Sequence, residues 1–191
     1  MAEPLDAPAT AFHATGPAIM EPARPDGARL DAAARDDLRR GWGVERDTRV
    51  AWLAADAAGE GEVLAAAAAT GLASEAGRPW WLVVHPSSPG LRRVRRLLEA
   101  MGRPERLIED ARWSEPWRAM AGADAALAVG GPVDLSLGWA RLAGLARVAG
   151  PAALGRASMA SREGLRVADD DRPRSLARLL CRLAEGWDGE R

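Results

Sequence analysis

The chain has 191 residues with 26 basic and 27 acidic side chains, for a net charge of -1; that is enough length for one sizeable core and too little for two comfortable domains. The near-neutral balance removes the electrostatic case for nucleic acid, since it supplies no basic stripe for a phosphate backbone. Lys, Asn, Gln and Tyr do not occur and every basic residue is Arg, which excludes a Walker-type phosphate loop and a pyridoxal Schiff base in this chain.

Residues 1–29 are rich in Pro, Ala and Gly without helical or strand period, and read as a flexible arm ahead of a domain spanning 30–191. Acidic Glu3 and Asp6 stand where a secretory leader needs basic residues. No apolar run approaches the roughly 18 residues of a membrane span, so the expected location is cytoplasmic. Helical spacing opens the domain at 30–42, with Gly41 and Gly43 to stop it. After it the chain repeats a short apolar run, a Gly/Pro-rich turn and a helix, the signature of βα units. The strands predicted are 49–54, 80–85, 106–108, 125–129, 146–149 and 165–168; the helices between and after them are 60–75, 91–101, 115–121, 133–143 and 174–187. Runs such as Trp-Trp-Leu-Val-Val at 80–84 and Ala-Ala-Leu-Ala-Val at 125–129 suit strands covered on both sides. The expectation is therefore an α/β, Rossmann-like parallel sheet of about six strands with helices on both faces.

Chemistry-bearing residues are sparse. One cysteine, Cys181, excludes an intrachain disulfide and a thiolate zinc cluster, and His13 and His85 alone would need carboxylates to complete a metal centre; neither metal nor cofactor is expected. Arg92, Arg93, Arg95 and Arg96 fall on one amphipathic helix and read as its solvated face. Asp169, Asp170 and Asp171 precede the last helix; they read as caps and macrodipole compensation in preference to a cation site. Trp52, Trp80 and Trp81 lie in predicted strands and belong to the core, while Trp113, Trp117 and Trp139 fall near the strand ends, where they either stack on a ligand or pack.

Ligands of open α/β sheets bind outside the carboxyl ends of the strands. The first such turn, at 55–61, carries Asp56 and Glu60, which repel an anion, and has no GxGxxG pattern. The second, His85-Pro86-Ser87-Ser88-Pro89-Gly90, offers hydroxyls; His85 there either titrates near neutrality or holds a loop group. The fourth, Gly130-Gly131-Pro132-Val133-Asp134-Leu135-Ser136, is the most suggestive: glycines admit a ligand close to the backbone at a helix start, although the same residues also make a sharp turn.

In order and spacing, several segments resemble the C-terminal, nucleotide-sugar-binding half of retaining GT-B glycosyltransferases, the large family that includes sucrose- and glycogen-synthase-like enzymes. Arg24-Pro25-Asp26 with the helix ending Arg40-Gly41-Trp42-Gly43-Val44 is similar to that family's approach to its first strand. Residues 80–85 resemble its second strand and 92–106 its next helix and connection. Glu115-Pro116-Trp117-Arg118-Ala119-Met120-Ala121-Gly122-Ala123-Asp124 resembles its short helix leading into the fourth strand, and 142–150 its Ala-Ala-Gly-Leu-Pro-Val-Val-Ala stretch. The likeness covers 23–187. It departs where the family does its chemistry. The Gly-Arg and Lys-Gly pairs that meet the donor diphosphate fall on Ala54-Ala55 and Glu60-Gly61, and the family's two spaced Glu residues fall on Gly131 and Trp139. The resemblance thus implies a degenerate glycosyltransferase-like domain, with no catalytic residue and residual nucleotide or nucleotide-sugar affinity. The expected contacts are the amides of Gly130 and Gly131, the Ser136 hydroxyl, Ala111 and Arg112 near the base, and Ser87 and Ser88 near the phosphates. The alternatives are a non-catalytic module pairing with a separate glycosyltransferase N-terminal half, and an active glycosyltransferase with an atypical donor site.

Overall fold

The computed structural model describes residues 32–55, 58–77, 79–103, 106–110 and 120–189, the last three by their backbone alone. The arm at 1–29 lies outside the described residues. Helix α1 (Ala32–Gly41) leads into strand β1 (Arg49–Leu53), followed by α2 (Glu60–Glu75), β2 (Trp80–Val84), α3 (Leu91–Ala100) and β3 (Leu107–Glu109). The second half runs β4 (Ala125–Ala128), α4 (Asp134–Leu142), β5 (Ala146–Ala149), two short helices α5 (Pro151–Arg156) and α6 (Met159–Arg162), β6 (Leu165–Val167) and α7 (Pro173–Gly189).

All six strands are parallel and lie in the order β3-β2-β1-β4-β5-β6. The chain winds outward from β1 to β3, returns to place β4 against the free side of β1 with Ala51 opposite Ala125, and winds outward again to β6. This is the doubly wound Rossmann-like arrangement, and its direction reverses between β1 and β4.

Strand alternation sorts the core into two layers. Ala51, Leu53, Trp80, Leu82, Val84, Ala125 and Leu127 face one way and pack with Val63 and Ala66 of α2, Val94 of α3, and Leu176 and Leu180 of α7. Val50, Trp52, Val83, Ala126 and Ala128 face the other way, against Met120, Leu137 of α4 and Ala153 of α5. Helix α2 offers mostly Ala to the sheet and to α7, which lets these backbones lie close. On α3, Leu91, Val94 and Leu98 are buried and the four Arg residues are exposed, as the amphipathic pattern predicts. Arg93 pairs with Glu60 at 3.3 Å, and Arg95 pairs with Glu109.

One ion cluster ties α1 to the amino ends of β1 and β4. The buried Asp124 carboxylate accepts the Val50 amide at 2.7 Å and meets Arg35 at 2.5 Å, Arg39 at 3.0 Å and Arg49 at 3.8 Å. Arg39 also donates to the carbonyls of Gly122, at 2.9 Å, and Thr48. Beside it the Trp42 ring lies over Gly122, with its Nε1 donating to the buried Asp110 carboxylate at 2.9 Å. A methyl group on Gly122 would stand 2.3 Å from the Trp42 ring. Gly122→Ala is therefore expected to cost about 1–3 kcal/mol through overpacking, read as a lower urea midpoint with unchanged slope.

The strands fall within about a residue of the sequence expectation, with β3 shifted by one to Leu107–Glu109. Helices α5 and α6 were not anticipated. Pro151 begins α5 in the first turn, where its missing N–H costs nothing, and the Ser158 hydroxyl caps α6 by accepting from the Ser161 amide at 3.4 Å. Buried Arg147 of β5 holds this turn by donating to the carbonyls of Ser161, at 3.1 Å, and Glu163; burial lowers its pKa, with Arg141 adding repulsion. The expected helix at 115–121 lies outside the described residues except for Met120 and Ala121. Among the described residues no helix is long and apolar enough to cross a membrane.

Candidate functional site

The strand order reverses between β1 and β4, and the carboxyl ends of those strands, where α2 and α4 begin, are where open α/β sheets form their ligand crevice. One wall is the turn after β4. Val129, Gly130 and Gly131 are buried, and Gly131 has φ of 73°, a left-handed conformation that a side chain would strain. The other wall is the start of α2. Helical side chains lean toward the N-terminus, and Glu62 accordingly reaches back over the mouth of the helix. A methyl on Gly59 would stand 2.6 Å from its Oε2, and one on Gly130 would stand 3.4 Å from its Oε1. The Glu62 carboxylate thus spans the gap between the two turns, with a side chain absent on either side of it.

The neighbouring loops add acid. Glu60 packs against Gly90, where a methyl would stand 2.5 Å from its Cγ, and reaches Arg93 at the start of α3. Asp171, from the loop after β6, accepts the Ala152 amide at 3.0 Å and so caps α5; its carboxylate crowds Gly150, the residue after β5. Asp170 accepts the Arg172 amide at 2.9 Å, and Ser175 followed by that amide holds its carboxyl below the usual range. The Asp169–Asp171 run therefore serves as caps, each acid turned to a different partner, with Asp169 at 4.0 Å from Arg178. Asp56 lies outside the described residues.

The expected contact residues are dispersed in their accessibility. Gly130 and Gly131 line the crevice, as their turn suggests. Ser136 belongs to the first full turn of α4 but is only 6% exposed, so its hydroxyl is directed into the protein. Ser87 is exposed at the carboxyl end of β2, and both its amide, at 3.1 Å, and its hydroxyl, at 2.5 Å, meet Nδ1 of His85. Nδ1 is the acceptor for the Ser87 amide. His85 thus organises its own loop. The Ser88 amide donates to the His85 carbonyl at 2.9 Å. Ala111 and Arg112 lie outside the described residues, as do Trp113 and Trp117. Trp139 is half-buried and packs on the α4 side of the core. Cys181 is partly buried on α7, and burial pushes its thiol pKa up, which keeps it protonated and unlike an activated nucleophile.

Glu62 was not anticipated, because in the sequence it reads as one more acid on an Ala-rich helix. Its position in the first turn was the available signal. Chemically, a carboxylate between two glycine turns accepts hydroxyl protons well and repels a diphosphate. The crevice is thus suited to the hydroxyl-bearing part of a ligand. Among the described residues no group of three or more His, Cys, Asp or Glu has the arrangement of a metal site. No family model and no curated protein matches the chain.

Proposed function

We propose that this chain is a degenerate glycosyltransferase-like domain that keeps affinity for a nucleotide or nucleotide sugar in the crevice between β1 and β4 without transferring the sugar. The observation that carries the reading is the Glu62 carboxylate facing the Gly130–Gly131 turn at the point where the strand order reverses. There it is set to accept hydrogen bonds from ribose or hexose hydroxyls. Loss of transfer follows from charge. Glu60 and Glu62 occupy the start of α2, the region where the resembled family brings cations to the leaving diphosphate, and Arg93 is turned to Glu60. Without cations on the departing phosphate, the main electrostatic contribution to catalysis is missing.

The test is a calorimetric titration of the protein with UDP, GDP, ADP and their common sugar conjugates, repeated on Glu62→Gln. One of the conjugates is expected to bind saturably, and Glu62→Gln to weaken it about tenfold or more, the worth of a hydrogen bond to a charged group. Equal affinity in the variant, or no binding to the wild type at millimolar ligand, would contradict the reading.

A docking role toward a separate glycosyltransferase half has one observation in its favour: Leu135, on the first turn of α4 next to the glycine turn, is 51% exposed. That role would make Leu135→Asp abolish pairing and leave nucleotide affinity intact.

A further inference from the structure

At the opposite end of the sheet, the amino ends of β1 and β4 and the inner side of α1 enclose a pocket of about 690 Å³, within the size range of small-molecule sites. Its wall carries Arg35, Arg39, Arg40, Arg46 and Arg49, against which stand the carboxylates of Asp124 and Asp36. Among the described lining residues positive charge therefore exceeds negative by three. The inner part is pre-organised. Arg39 and Arg49 are buried, and Arg39 is held by the Gly122 and Thr48 carbonyls as well as by Asp124, so its guanidinium is fixed before any ligand arrives. The Asp124 carboxylate has three guanidinium groups within 4 Å, which gathers positive charge at one point of the wall. At the rim, Arg40 and Arg46 are exposed. Arg40 reaches Asp37 at 3.1 Å across the helix surface, a pairing that solvent screens heavily.

We infer that this pocket binds a small molecule through a diphosphate or longer phosphate chain, with Arg40 and Arg46 as its movable contacts and Arg35, Arg39 and Arg49 around Asp124 as its fixed floor. Guanidinium forks match phosphate oxygens in pairs, and a partly enclosed site weakens the screening that would dissipate the attraction at a flat surface. A multiply charged anion answers the excess charge better than orthophosphate does. The site is separate from the crevice at the carboxyl ends, where Glu62 disfavours such a group.

The probe is inorganic pyrophosphate, titrated calorimetrically into the full chain, with orthophosphate as comparison. The variant is Arg40→Ala combined with Arg46→Ala, both outside the Asp124 cluster. Saturable pyrophosphate binding is expected, tighter than orthophosphate, weakening as sodium chloride rises and reduced about tenfold or more in the double variant. Melting temperatures without ligand establish that the double variant is folded. Absence of saturable binding at millimolar pyrophosphate would overturn the inference. So would a double variant that binds as tightly as the wild type.

Discussion

Replacing Asp124 by Ala is expected to remove about 3–5 kcal/mol of stability, the cost of leaving buried charge without its partner. For a domain of this size that corresponds to a fall in Tm on the order of 10 °C or more. Asp124 lies one residue before β4, and its carboxylate is the common acceptor for Arg35 and Arg39 of α1, for Arg49 of β1 and for the Val50 amide. Its loss would take from the buried Arg39 and Arg49 the carboxylate they share and leave the Val50 amide without this acceptor. Asp124→Asn keeps an oxygen for Val50 but removes the charge, so it should fall between Ala and wild type. Urea unfolding of the three proteins checks the order. A loss below about 1 kcal/mol for Asp124→Ala, the range of exposed pairs, would show that the cluster behaves as a solvated surface network.

Trp80→Ala should cost about 3–5 kcal/mol and Trp81→Ala distinctly less, although the two residues are adjacent in β2. Trp80 is 1% exposed and fills the layer between the sheet and α2, α3 and α7. Its strand position is fixed further by Ser74, whose hydroxyl accepts the Trp80 amide at 2.7 Å and donates to its carbonyl at 3.1 Å. Trp81 points to the other face, where it is half-buried at the margin of the second layer. Truncating Trp80 opens a ring-sized void that rigid strands cannot collapse around, whereas Trp81 borders solvent. Denaturation of the two variants side by side provides the check, and equal losses would contradict the assignment of faces.

The sheet was largely legible in the sequence because buried parallel strands leave a strong mark: continuous apolar runs such as 80–84 and 125–128 stand between glycine and proline turns. Helices α5 and α6 escaped because six and four residues are too few to show a period. Only local cues, Pro151 after Gly150 and the Ser158 cap, marked them. The glycine turn at Gly130 and Gly131 was legible for the same reason as the strands, as an interruption directly after an apolar run. Side-chain function was much less so. Arg39 and Asp124 meet across 85 positions of chain, a pairing that no local pattern announces, so α1 read only as a helix ahead of the first strand and Asp124 only as part of the approach to the fourth. Ser136 illustrates the converse: a hydroxyl at a helix start reads as a ligand contact, but the helix rotates it inward, and rotation is decided by which side of α4 covers the sheet.

Whether ligand recognition resides between β1 and β4 is decided by an amide NMR titration of isotopically labelled protein with the nucleotide sugar that binds best. With pyrophosphate held at saturation, so that the arginine pocket is already occupied, the largest shifts are expected at Gly59, Glu62, Gly130 and Gly131. Shifts confined to the Arg39–Asp124 end of the sheet, or absent throughout at saturating ligand, would contradict that location.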